Sequence, residues 1–185
     1  MTLHTDSRAV LTAWTAPTPE QDDLRRLYLG HLDAHPDGML RRCSPDHLTA
    51  SSLIVRGEEA LLVFHSKAGK WLQTGGHCEE SDASLADAAL REAYEESGIA
   101  DLAVDPVPLQ LSRHHVPFCG GVRGGGHHLD VQFLVTAAPG ADIRLAANED
   151  DARWFPLDPA TAPEPTDQDV RNLIAAAKSR LRGNP

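Results

Sequence analysis

The chain has 185 residues, enough for one domain with a sizeable core and a short extension. Its 27 acidic residues outweigh 17 lysines and arginines, giving a formal charge of −10 at pH 7. That balance argues against non-specific binding to nucleic acid or anionic membranes, which needs a basic surface, and a phosphate-bearing ligand would need cations to bridge it to so acidic a protein.

Cys43, Cys78 and Cys119 are odd in number and widely spaced, with no CxxC pair, so reduced thiols in a cytoplasmic protein are expected. The first residues lack the basic and apolar regions of a signal peptide, and no apolar run approaches membrane-spanning length. A soluble, cytoplasmic protein is expected.

Residues 1–17 offer only Val10, Leu11 and Trp14 as apolar landmarks, and a loosely held arm is expected there. Thr18-Pro19-Glu20-Gln21 reads as a helix start, with Thr as N-cap, Pro at N1 and Gln at N3 completing a capping box. Leu24, Leu27, Tyr28 and Leu32 follow at helical spacing until His35-Pro36-Asp37-Gly38 ends the run. Arg41 and Arg42 read as surface. Strands are predicted over residues 48–55 and 60–65, joined by Arg56-Gly57-Glu58-Glu59, with Trp71-Leu72-Gln73 as a short extended piece. His65, Lys67 and Lys70 gather ahead of Trp71. They read as a solvated turn, with Lys67 or Lys70 as the candidate phosphate contact.

Gly75-Gly76 permits a tight turn and a close approach of backbone to a ligand. The helix that follows carries Arg91-Glu92-Ala93-Tyr94-Glu95-Glu96. At about 100° per residue, Glu95 lies roughly 60° to one side of Glu92 and Glu96 roughly 40° to the other. Leu85, Ala88 and Ala89 continue that face one and two turns earlier. Taken alone, such a face reads as solvated surface. Turned inward, carboxylates at this spacing repel and need a counter-charge, which a divalent cation would supply.

Residues 104–110 have β character interrupted by Pro106 and Pro108. Residues 109–116 and 129–135 are better strands, joined by the glycine-rich stretch 118–126. Residues 152–157 form another short strand, and 159–165 a turn-rich connector. Thr166 is expected to cap a last helix with Val170, Leu173, Ile174, Ala177 and Leu181 on one stripe. The order of elements predicts an α/β fold with a mixed sheet and helices on both faces.

Gly76 to Ile99 resembles the Nudix hydrolase signature, G-x5-E-x7-R-E-U-x-E-E-x-G-U with U aliphatic, at Gly76, Arg91, Glu92, Glu95, Glu96, Gly98 and Ile99. Asp82 stands for the first glutamate, with eight residues between it and Arg91 where the pattern has seven. That leaves Asp82 either a helix cap or a partner of Arg91. The resemblance covers most of residues 47–182. It implies a Nudix-like α/β/α sandwich over residues 46–185, with residues 1–45 as an N-terminal helical extension.

It also implies hydrolysis of a diphosphate bond in a nucleoside diphosphate linked to another moiety. The cofactor would be Mg²⁺ or Mn²⁺ on Glu92, Glu95, Glu96 and the Gly76 carbonyl. Arg91 would orient a carboxylate, and the general base would be Glu92, Glu95 or a loop acid such as Glu149. The expected partner is a small nucleotide-type substrate rather than a nucleic-acid polymer or a membrane, with a homodimer left open.

His114-His115 and His127-His128 flank the glycine-rich loop, and Cys119 lies inside it. Paired strands would bring these groups together, yet the spacing fits no zinc finger. Contact of His127 and His128 with a nucleobase or phosphate is the preferred reading, and His77 is expected to shape the box loop. Two alternatives stand beside hydrolysis. An isoprenyl-diphosphate isomerase of the same superfamily would want a cysteine before the Gly-His pair, where this chain has Gly75. A non-catalytic nucleotide sensor would usually have a degraded box.

Overall fold

Residues 47–56 are buried almost without interruption, so this strand must be covered on both faces and flanked on both edges. In the computed structural model, which describes residues 2–43, 45–117, 119, 125–145 and 151–183, it is β1 (His47–Arg56), the centre of an eight-stranded mixed sheet. β2 (Glu59–His65) and β4 (Thr74–His77) pair with it antiparallel, and β7 (Gly126–Thr136) pairs with it parallel. β3 (Lys70–Leu72) and β8 (Ala152–Pro156) extend the sheet from β2, while β5 (Ala103–Val104) and β6 (Gln110–Val116) extend it from β7.

The two-residue period of β1 and β7 divides their side chains between two layers. Leu48 and Ala50 with Leu129, Val131 and Phe133 meet Leu85, Ala88 and Ala89 of α3 (Leu85–Ser97). Leu53, Val55 and Leu134 meet Val170, Leu173, Ile174 and Ala177 of α4 (Gln168–Leu181) on the other face. The predicted mixed sheet with helices on both faces is the fold observed.

Three local expectations need correction. The N-terminal segment is not a loose arm but a helix, α1 (Leu3–Ala13), capped by a reciprocal Thr2/Thr5 box. Leu11 is fully buried, and Trp14 Nε1 donates to the Pro108 carbonyl at 2.8 Å. The few apolar residues of this segment are too sparse for a periodic pattern, yet they suffice because a ready-made surface receives them.

Thr18 does cap α2 (Pro19–Ala34), accepting from the Gln21 N–H at 3.3 Å. The Gln21 side chain does not close a box, however. It bonds Leu111 at both N–H and carbonyl, at 2.7 and 2.9 Å, and so docks α2 against β6. Asp167, not Thr166, precedes α4; the Thr166 hydroxyl donates to the Trp71 carbonyl at 2.6 Å.

Candidate active site

The position of α3 follows from its ends and its small residues. The Ser84 hydroxyl accepts from the Asp87 N–H at 3.0 Å, and Gly98 ends the helix in the left-handed region at φ 62°. A side chain at 98 would be strained there and would meet the Arg144 carbonyl as well. Ala88, Ala89 and Ala93 are fully buried, so nothing bulky holds α3 away from the sheet. The approach is so close that a Cβ at Gly76 would lie 2.6 Å from the Glu92 carboxylate. The neighbouring Gly75 N–H donates to Glu96 at 3.0 Å. The glycine pair therefore lets β4 and the acidic turn of α3 share one space.

Arg91 organises this face. Its Nε and Nη2 grip both oxygens of Asp82 at 3.0 and 3.1 Å, and its Nη1 reaches Glu92 at 2.9 Å and Glu95 at 3.3 Å. Nη2 also donates to the His77 carbonyl at 2.9 Å. Asp82, with a side chain only 5% exposed, additionally accepts from the Glu79 N–H at 2.7 Å. Ser84 caps the helix, so Asp82 is the partner of Arg91, and the longer loop still delivers it. The Asp82 carboxylate in turn holds the Arg91 guanidinium firmly protonated.

One guanidinium is shared by three carboxylates, those of Asp82, Glu92 and Glu95, and the Gly75 N–H donates to Glu96 beside them. Burial pushes the Glu92 carboxyl above the usual range, and Arg91 offsets this in part. Carboxylate oxygens crowded beside the partly buried Glu92 form the donor set that suits a hard divalent cation such as Mg²⁺.

Beyond Gly75 the sheet presents a polar floor. A Cβ on Gly75 would collide with Ser51, so this residue touches the glutamate face on one side and the floor on the other. Direct register aligns Thr49 with Asp130 and Ser51 with Gln132, and β6 adds Ser112 and Gln110 opposite them. Asp130 is buried, accepting from Thr49 at 2.9 Å, Ser51 at 2.6 Å and Gln132 at 2.8 Å. A buried network this fully bonded fixes its members in place. Nothing in local sequence singles out these residues. The signal was the polar character of every second residue in two strands, which has meaning only once their register is known.

The structure brings Arg91, Glu92, Glu95, Glu96 and Gly76 together as expected from the sequence. Lys67 is exposed in the turn between β2 and β3 and makes no ion pair among the described residues, while Lys70 is engaged with Asp167 at 2.6 Å. Glu149 lies outside the described residues. His127 bonds Asp46 through its N–H at 2.9 Å and lies 3.0 Å from an Arg113 nitrogen. His128, one residue on, faces the opposite way. Its ring joins those of His47 and His77, and the Cys119 sulfur lies among them. Burial holds His77 at about 4 and His128 at about 3, so both rings are neutral at neutral pH. His47 had drawn no attention in the sequence.

Comparison with known proteins agrees with this architecture. A Nudix-family hydrolase from Clostridium perfringens superposes with a TM-score of 0.55 at 23% identity, covering 74% of this chain and 98% of that one. A MutT Nudix hydrolase from Burkholderia pseudomallei gives 0.54 at 23% identity, over 71% and 97% of the two chains. An Ap4A hydrolase from C. elegans gives 0.56 at 20% identity, over 74% and 98%. At these identities the likeness speaks for the fold. No match was found among curated proteins. The sequence model of the NUDIX domain matches residues 45–177, which span the whole sheet, α3 and most of α4. With that match over more than two thirds of its length, the chain belongs to the Nudix family of hydrolases.

Proposed function

We propose that the chain is a divalent-metal-dependent hydrolase that cleaves a diphosphate bond in a nucleoside diphosphate linked to another moiety, by attack of water on phosphorus. The observation that carries this reading is the packing of Glu92 against Gly76, with Glu95 and Glu96 beside it and the Arg91 guanidinium shared by Glu92 and Glu95. Glu92, Glu95, Glu96 and the Gly76 carbonyl would hold Mg²⁺ or Mn²⁺, which would supply neutralisation of phosphate charge and a more acidic water.

The chain's own groups do the rest. Arg91, clamped by Asp82, fixes the orientation of Glu92 and Glu95 and keeps their mutual repulsion in check. Either of these two carboxylates would take the proton of an attacking water. Gly75 and Gly76, lacking side chains, let the glutamates lie directly against the backbone of β4. The buried network of Thr49, Ser51, Asp130 and Gln132 holds β1 and β7 in register beneath Gly75 and so fixes the glycine pair against α3.

The test is a panel of nucleoside diphosphate derivatives and dinucleoside polyphosphates incubated with Mg²⁺ or Mn²⁺ in ¹⁸O-water. Metal-dependent cleavage of an anhydride, with the label in a phosphate product, is the expected result. Tight binding of a nucleotide without turnover under any metal would instead make the chain a sensor. Isomerisation of isopentenyl diphosphate would assign it to the other chemistry.

A further inference from the structure

A second cluster of donor atoms lies on the far side of His77 from the glutamates. His47 opens β1, His77 ends β4, Cys119 follows β6, and His128 is the third residue of β7. Each offers one donor atom, and the four atoms lie within 4.8 Å of one another. Cys119 Sγ is 3.4 Å from His77 Nε2 and 3.6 Å from His47 Nε2. A tetrahedral zinc ion, with bonds of about 2.3 Å to sulfur and 2.0–2.1 Å to nitrogen, places sulfur and nitrogen about 3.5 Å apart. The three imidazoles form a near-regular triangle, with centroid separations of 5.2, 5.0 and 5.0 Å.

Hydrogen bonding among these groups does not account for the arrangement. A single thiol proton serves one nitrogen at a time, while two nitrogens lie at bonding distance from the sulfur. His128 Nε2 is buried with no hydrogen-bond partner, an uncommon state for a polar atom. His47 Nδ1 lies 3.1 Å from the Cys43 carbonyl. Donation there leaves the Nε2 lone pair facing Cys119, the outer support that metal-bound histidines usually have.

We propose that His47, His77, Cys119 and His128 bind one zinc ion in a closed four-coordinate site, separate from the glutamate face. Nitrogen and sulfur donors with no carboxylate select a borderline metal over Mg²⁺. His47 is fully buried and Cys119 is 5% exposed, which suits a structural ion with no open position. On binding, the Cys119 thiol releases its proton to solvent and no electron is transferred. The ion ties β1, β4 and β7 to the glycine-rich connection carrying Cys119. It also fixes His77, whose carbonyl receives Arg91.

The test is metal analysis of the full chain, purified without a histidine tag, stripped with a chelator and reloaded with Zn²⁺ or Co²⁺ before gel filtration. The native chain should retain one ion. Its Co²⁺ form should show a thiolate-to-cobalt charge-transfer band with the strong visible bands of a tetrahedral site. Cys119→Ser should lose the charge-transfer band, and His128→Gln should weaken retention about tenfold or more. Glu95→Gln and Glu96→Gln should keep the full zinc content, which separates this proposal from the hydrolase reading. If His128→Gln is insoluble, the melting temperature of the native chain decides, because zinc must raise it. Retention well below one ion, a Cys119→Ser cobalt spectrum identical to the native one, or no rise in melting temperature would overturn the proposal.

Discussion

The glutamate face of α3 and the histidine cluster meet at the Gly76–His77 peptide, yet they are built in opposite ways. Glu92, Glu95 and Glu96 converge because a helix repeats every 3.6 residues, so one turn of local structure supplies the donors. His47, His77, Cys119 and His128 converge only through sheet register, in which His47 lies opposite His128 and Thr49 opposite His77. The first group is oxygen-rich and partly open, with Glu95 58% exposed at its side chain, while the second is nitrogen and sulfur with His47 and Cys119 buried and His77 and His128 half-buried. Two neighbouring sites can thus call for cations of different hardness. A site encoded locally can be read from a line of sequence, and a site encoded by register cannot.

The comparison can be broken most directly at the helix. Glu92→Gln keeps the shape against Gly76 but removes the charge, and it should lower metal-dependent turnover by roughly 10²–10⁴-fold, judged by steady-state product release. The melting temperature should not fall, because the carboxylate is already penalised by burial. A turnover within a few-fold of native would show that Glu92 has no part in the chemistry.

Next in size is the clamp. Asp82→Ala strips a partly buried guanidinium of its two-pronged partner and should cost about 2 kcal/mol in a denaturant titration. A loss under about 1 kcal/mol would mean that Glu92 and Glu95 satisfy Arg91 without Asp82, returning that residue to a loop role.

The glutamate site also leans on the N-terminal helix, through Asp6, whose carboxylate accepts from the Leu85 N–H at 3.1 Å. Leu11→Ala should therefore destabilise the whole chain by about 2–3 kcal/mol in the same titration, as expected for a fully buried leucine. An unchanged midpoint would restore the picture of a loosely held arm.

The smallest effect is expected at Lys67. Lys67→Ala should alter stability by no more than about 0.5 kcal/mol, since the residue is exposed and makes no ion pair among the described residues. A several-fold rise in KM with unchanged kcat would make Lys67 a phosphate contact, and unchanged kinetics would leave it a solvated turn residue.

Much of the sheet was legible beforehand because β1, β2, β6 and β7 carry enough aliphatic residues, and β8 its Trp154 and Phe155, to be recognised one at a time. Arg91, Glu92, Glu95 and Glu96 were legible for the same local reason. α1 was not, because Leu11 and Trp14 are only meaningful against the surface they fill. Gln21 was assigned to a cap that its backbone allows, but Leu111 supplies better partners across the fold. The role of Asp82 stayed open because the loop is one residue longer than the pattern, and only the folded loop shows its carboxylate arriving at Arg91. His127 and His128 drew attention as a pair. Strand alternation separates them, sending His127 to Asp46 and His128 to His47 and His77.

The most direct test of the central claim is Mg²⁺-dependent hydrolysis of the diphosphate panel by the native chain, measured alongside Glu95→Gln and Glu96→Gln proteins of matched melting temperature. The account predicts anhydride cleavage by the native chain that requires the metal and falls by about 100-fold or more in each variant. Native-level turnover in either variant, or cleavage that persists without a divalent cation, would contradict it.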